Sequence, residues 1–194
     1  MIASEKAELE ILSFKTAADF EKWLAKNHKN SPGIWLRFFK KDSREKTVSH
    51  KEALDEAICY GWIDGQINSY DARSWLHKFT PRRPKSIWSK KNTDHAERLA
   101  KTGRMKTSGL AEVEQAKADG RWKIAYDAQA DMKFPEDFLK RLSRDKQAKV
   151  FFESLNKANR YSIAWRLQTA KKPETREKRI NKILEMLSKG EKFH

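Results

Sequence analysis

Trp62-Ile63-Asp64-Gly65-Gln66-Ile67 and, one turn later, Ser74-Trp75-Leu76-His77-Lys78-Phe79 are the two stretches on which the fold class rests. Both are rich in aromatic and branched residues, which suit a pleated, half-buried surface better than a helix. A turn near Tyr70-Asp71 joins them, so they read as an antiparallel pair, with a kink or bulge where Gly65 interrupts the first strand. Working outward, Ile34-Trp35-Leu36-Arg37-Phe38-Phe39-Lys40 has the same character and follows the turn Asn30-Ser31-Pro32-Gly33. Two helices are signalled around it. Thr16 is placed to cap one whose apolar face is Phe20, Trp23 and Leu24. Ser49-His50-Lys51-Glu52 is a capping box, in which Ser49 and Glu52 each satisfy a backbone N–H near the other. It opens a helix through Leu54, Ala57 and Ile58 that Gly61 stops.

Beyond the second strand, Pro81 and Pro84 break regular structure. Ser89 is positioned to cap a helix from Lys90 to about Lys101, ended by Gly103, and Leu110 to about Ala118 is a further helix ended by Gly120. Residues 121–134 are aromatic and irregular and read as a linker. From Pro135 onward the apolar spacing is helical throughout, marked by Leu139 and Leu142, by Val150, Phe151 and Leu155, by Ile163 and Leu167, and by Ile180, Ile183, Leu184 and Leu187. The expected fold is therefore α+β: a small antiparallel sheet with helices over residues 1–130, followed by an all-helical C-terminal module over 131–194.

Composition narrows the function classes. The chain has 194 residues and its 21 Trp, Phe and Tyr side chains argue for a packed core despite 36% charged residues. Cys59 is the one cysteine, so no intramolecular disulfide can form. Glu5, Glu8 and Glu10 interrupt the N-terminal apolar residues, which is unlike a signal peptide, and no apolar run approaches a membrane span. The expected location is the cytoplasm. The net charge of +15 is uneven: residues 73–106 carry +9 and residues 140–194 carry +10, while 1–72 and 107–139 are slightly negative. Such a field attracts phosphates, nucleic acids or other polyanions, or is simply a solvated surface.

The chemistry-bearing residues cluster around Lys78-Phe79-Thr80-Pro81-Arg82-Arg83-Pro84-Lys85-Ser86-Ile87-Trp88-Ser89-Lys90. Two prolines stiffen the backbone beside Arg82 and Arg83, and a stiff loop loses less entropy on binding. With Lys85, Lys90 and a helix N-terminus nearby, this reads as an anion cradle, with Trp62 and Trp88 lining the pocket. The alternative is that Trp88 is core and the arginines face water. Asp64 is a weak candidate for an acid or base, or an anchor for Arg82 or Arg83. Cys59, near a helix C-terminus, reads as a small buried residue. The histidines 28, 50, 77, 95 and 194 show no metal-ligand spacing, so neither a metal site nor a cofactor is expected. Near the C-terminus, basic residues at 172, 176, 179 and 182 fall on one helix face, which is either solvated or a nucleic-acid contact.

Ala57-Ile58-Cys59-Tyr60-Gly61-Trp62-Ile63-Asp64-Gly65-Gln66, Phe79-Thr80-Pro81-Arg82-Arg83-Pro84-Lys85-Ser86-Ile87-Trp88-Ser89, Gly103-Arg104-Met105 and Leu110 to Trp122 resemble the YdeI/OmpD-associated family, labelled bacteriocin protection. So do Pro135-Glu136-Asp137-Phe138, Phe151-Phe152, Trp165 and Glu174-Thr175-Arg176-Glu177-Lys178-Arg179-Ile180 in the tail. The resemblance runs roughly from Phe14 to Gly190. It implies a link to protection against bacteriocins or antimicrobial peptides and carries over no catalytic residue. Such peptides are commonly cationic and a +15 chain repels them, so protection would act through an anionic partner or by regulation. Three expectations follow: a non-enzymatic, stress-related basic protein binding an anionic, phosphate-bearing partner through Arg82, Arg83, Lys85 and Lys90; a nucleic-acid-binding protein using its C-terminal helices; or a small enzyme on an anionic metabolite with Asp64 as acid or base.

Overall fold

The computed structural model describes residues 8–127 and 131–192. In chain order the elements are β1 (Glu10–Leu12), α1 (Ala17–Asn27), β2 (Ile34–Phe39), a 3-10 turn (Lys41–Ser43), α2 (His50–Cys59), β3 (Trp62–Asp71), β4 (Ser74–Pro81), α3 (Lys90–Lys101), α4 (Thr107–Ala118), α5 (Glu136–Leu142), α6 (Lys146–Ser154), α7 (Lys157–Gln168) and α8 (Pro173–Ser188). The architecture is α+β with a helical C-terminal region. Among the described residues, no helix is long and apolar enough to cross a membrane.

The chain divides into two units. The first comprises the described residues of Met1–Trp88 together with Asn92–Ile124, and the second those of Ser89–Lys91 and Ala125–His194. The expected boundary after residue 130 lies outside the described residues, as do residues 128–130 of the expected linker. The beginning of that stretch is not a linker at all. Arg121 is buried and Trp122 packs on Trp88, with ring centroids 4.9 Å apart, because their apolar surface completes the core of the first unit.

In the first unit the sheet order is β1-β2-β4-β3. β2–β4 and β4–β3 are antiparallel, as expected of the hairpin, but β1 runs parallel to β2, with Glu10 opposite Ile34 and Leu12 opposite Leu36. The sheet is thus mixed. β1 is only three residues long and carries no alternating pattern of its own. Its pairing partner fixes it. Both N-terminal capping boxes form: Thr16 with Asp19 on α1, and Ser49 with Glu52 on α2. The core is aromatic. Phe20 of α1 meets Phe79 of β4 edge to face with centroids 5.8 Å apart, and Trp23 meets Trp62 at 5.7 Å.

An ion cluster around buried Asp55 ties α2 to α3. Asp55 accepts from His95 Nδ1 and from Arg98 Nη2, each at 2.6 Å. Burial works to raise the Asp55 pKa, but Arg98 and His95 outweigh it and hold the carboxyl below its ordinary value. A depressed pKa means stability that is present above the unfolded value near 4 and is lost as pH falls through the folded value. Asp55→Asn is therefore expected to cost about 1–3 kcal/mol at pH 7, the scale of hydrogen bonds to charged groups. The difference from the unsubstituted chain should shrink below about pH 4. Urea unfolding at the two pH values measures both.

The second unit has its own core. Phe138, Phe152, Ile163, Leu167, Ile180 and Ile183 are buried against one another. Phe138 and Phe152 meet edge to face at 5.8 Å.

Candidate functional site

The loop after β4 separates the residues that the sequence grouped together. Arg82 is buried, and its guanidinium lies 3.4 Å from the centroid of the Trp88 ring. Its backbone N–H donates to the Gly61 carbonyl at 3.0 Å. Arg82 is thus part of the scaffold and not of a ligand surface. Trp88 and Trp62 are each 1% exposed. The Trp62 indole N–H donates to the His28 carbonyl at 3.1 Å. The two tryptophans fill the core and offer no open face to a pocket, because the sheet–helix interface needs their area. Lys90 belongs to the second unit, where it pairs with Asp127.

Arg83 and Lys85 remain, and both are exposed. Ser86 N–H donates to the Arg83 carbonyl at 2.9 Å, closing a turn with Pro84 and Lys85 at its centre. Lys85 stands at φ +64°, in the left-handed region that glycine usually fills. The turn is pinned from below: buried Arg121 donates from Nη1 to the Ser86 carbonyl at 2.7 Å and from Nε to Asp119 at 2.6 Å. Beneath it, burial lifts the Glu112 carboxyl above its ordinary value against the fields of Arg82 and Arg121. Two cations thus project from a rigid turn, and among the described residues neither has an ion-pair partner.

A second cluster joins residues that are far apart in sequence. His50 opens α2, Asp64 lies on β3 and His77 lies on β4. His50 Nε2 is 3.1 Å from Asp64 Oδ2, and His77 Nε2 is 3.6 Å from the same oxygen. The two imidazoles lie parallel, 4.6 Å between centroids and 5° between planes. A β-bulge makes this possible. Asp64 pairs with Phe79 and Ile67 with His77, so three steps along β3 match two along β4. The extra residue turns the Gly65 carbonyl onto His77 Nε2 at 3.2 Å. Burial pushes the Asp64 pKa up, but the His50 hydrogen bond and the fields of both histidines more than reverse this and keep it ionised. Burial, and then the neighbouring His50, push the His77 pKa down, so its imidazole is neutral at neutral pH.

This corrects two expectations. Asp64 anchors histidines and not Arg82 or Arg83. Its depressed pKa also makes it a weak base and leaves it no proton to give as an acid at neutral pH. The histidines do show metal-ligand proximity, which one helix and two strands create without leaving a spacing in the sequence. The signal that pointed to them was the glycine inside β3, read only as a bulge.

Elsewhere, Cys59 is buried, and burial followed by nearby Glu56 pushes its thiol up to about 11. It is a small core residue. The basic face expected on α8 is partly used inside the second unit. Arg176 pairs with Asp137, Arg179 Nη1 donates to the Arg166 carbonyl at 2.6 Å, and Lys182 meets Glu185.

No curated protein and no solved structure matches the chain. Residues 131–190 match the family described as bacteriocin-protection, YdeI or OmpD-associated. That likeness falls on the tail motifs, a narrower span than Phe14 to Gly190. The central motifs, with the hairpin and the turn at Arg83, fall within a different match. Through residues 12–112, just over half its length, the chain belongs to the family described as a domain of unknown function (DUF8412).

Proposed function

We propose that the chain is a non-enzymatic binding protein that engages an anionic, phosphate-bearing partner at the turn Arg83–Ser86. The stress or antimicrobial-peptide-resistance role is the one the YdeI/OmpD-associated likeness suggests. The observation that carries this reading is Lys85 at φ +64°. A lysine in a conformation that suits glycine costs on the order of 1 kcal/mol, and such positions persist where the surroundings over-determine them. Here Pro84 and the Arg121 contact hold the turn, and the side chain so presented is a cation beside a second cation. Pre-organisation of this kind reduces the ordering cost of binding. The nucleic-acid reading on the C-terminal helices has less support, since Arg176 and Arg179 are engaged within their own unit.

The test is binding of heparin and of a short DNA duplex at two salt concentrations. Arg83→Glu with Lys85→Glu is expected to weaken binding about tenfold or more and to lower the slope of log affinity against log salt by about 2, near one per lost contact. Both residues are exposed, so the fold should be retained. Unchanged affinity in the double variant would remove the turn from the binding surface. Loss on truncating the C-terminal helices instead would transfer the function to them.

A further inference from the structure

We infer that His50, Asp64 and His77 form a binding site for a first-row divalent transition cation. Their ligand atoms all lie within 4.8 Å of one another. A tetrahedral ion with bonds of about 2.0–2.1 Å spaces its ligands somewhat more closely, so small side-chain movements complete the set. The three groups come from α2, β3 and β4, and the backbone of each is fixed. The Ser49–Glu52 capping box sets the first turn of α2. The bulge in β3 brings Asp64 and His77 together. Phe79 packs against both imidazoles, 5.4 Å from His77 and 6.3 Å from His50.

The chemistry of the donors selects the class of ion. Two imidazole nitrogens and one carboxylate oxygen suit zinc, cobalt, nickel or ferrous iron, whereas magnesium and calcium prefer oxygen alone. No lysine or arginine pairs with Asp64 among the described residues; its ion-pair partners are the two histidines. The carboxylate is therefore not already neutralised by a permanent cation. Access is from the His50 side, where the side chain is 33% exposed against 6% for His77. Three protein ligands leave further coordination positions open, the arrangement in which a metal can take a small ligand.

The experiment uses the full chain without a polyhistidine tag, titrated calorimetrically with Zn²⁺ at pH 7.5, with Co²⁺ absorption as a second probe. One equivalent is expected to bind. His50→Ala and Asp64→Asn are expected to weaken binding by at least about 10–100-fold, the loss already seen when only an outer partner is removed. His28→Gln should leave it unchanged. Absence of stoichiometric binding by the unsubstituted chain, or unaltered affinity in both ligand variants, overturns the site. A measurement without variants guards against misfolding. In the ¹⁵N-labelled chain one equivalent of Zn²⁺ should shift the imidazole nitrogens of His50 and His77 and not those of His28 or His95. Shifts confined to other histidines overturn the assignment as firmly.

Discussion

Phe79→Ala is expected to destabilise the first unit by about 3–5 kcal/mol, the cost of truncating a fully buried aromatic ring. Phe79 is 0% exposed and sits at the middle of the sheet, opposite Ile34 on β2 and Asp64 on β3. Its ring touches aromatic neighbours from three directions: Phe20 of α1 at 5.8 Å, Phe38 of β2 at 6.4 Å and His77 of its own strand at 5.4 Å. Strand and helix neighbours cannot all collapse into the space left by one ring, so the transfer and cavity terms both apply. Domains are stable by about 5–15 kcal/mol in total, so this loss is a large share. Phe79→Leu keeps most of the volume and should cost well under half as much. Tryptophan fluorescence in urea is a suitable readout, because six of the seven tryptophans, all but Trp165, belong to the first unit. A cost below about 1 kcal/mol for the alanine variant would mean that the aromatic set is loosely packed and repacks freely.

Much of the fold was legible because its signals are local. The Ser49–Glu52 capping box, the glycine stops and the aromatic strands each act within a few residues, and each appears where its chemistry places it. β1 was not legible. Three residues without alternation become a strand only when Ile34–Leu36 supplies the pairing edge. The site divided along the same line. Arg83 and Lys85 were readable as a stiffened basic turn from Pro84 and the charge run. Arg82, its immediate neighbour, was not separable from them by sequence. Arg82 lies buried against Trp88, within the field of Glu112, which arrives from α4 far along the chain. The His50–Asp64–His77 cluster lay further out of reach. Its members share no spacing: a register shift of one residue between two strands joins Asp64 to His77, and the start of α2 brings His50.

Gly109→Ala is expected to lower stability by about 2 kcal/mol or more, against the sign that helix propensity assigns to it. Inside a helix, alanine is favoured over glycine by about 1 kcal/mol, and Gly109 is the third residue of α4. Its surroundings reverse the sign. A methyl group there would stand 2.3 Å from the Cys59 carbonyl oxygen and 2.7 Å from that of Ile58, far inside contact distance. Neither oxygen can swing away as a side chain would. The Cys59 carbonyl accepts the Lys106 N–H at 3.0 Å, and the Ile58 carbonyl accepts that of Gly61 at 3.1 Å. Relief therefore requires α4 to withdraw from the C-terminal turn of α2. That sacrifices the Lys106 bond and opens the packing around buried Val113 and Ala116. Overpacking of this kind typically costs about 1–3 kcal/mol, and a clash with fixed backbone falls at the upper end or beyond. The urea midpoint followed by fluorescence measures the result. A net gain would show that the end of α2 and the start of α4 separate at little cost. The close approach would then be tolerated by the fold and not required by it, and propensity alone would govern the position.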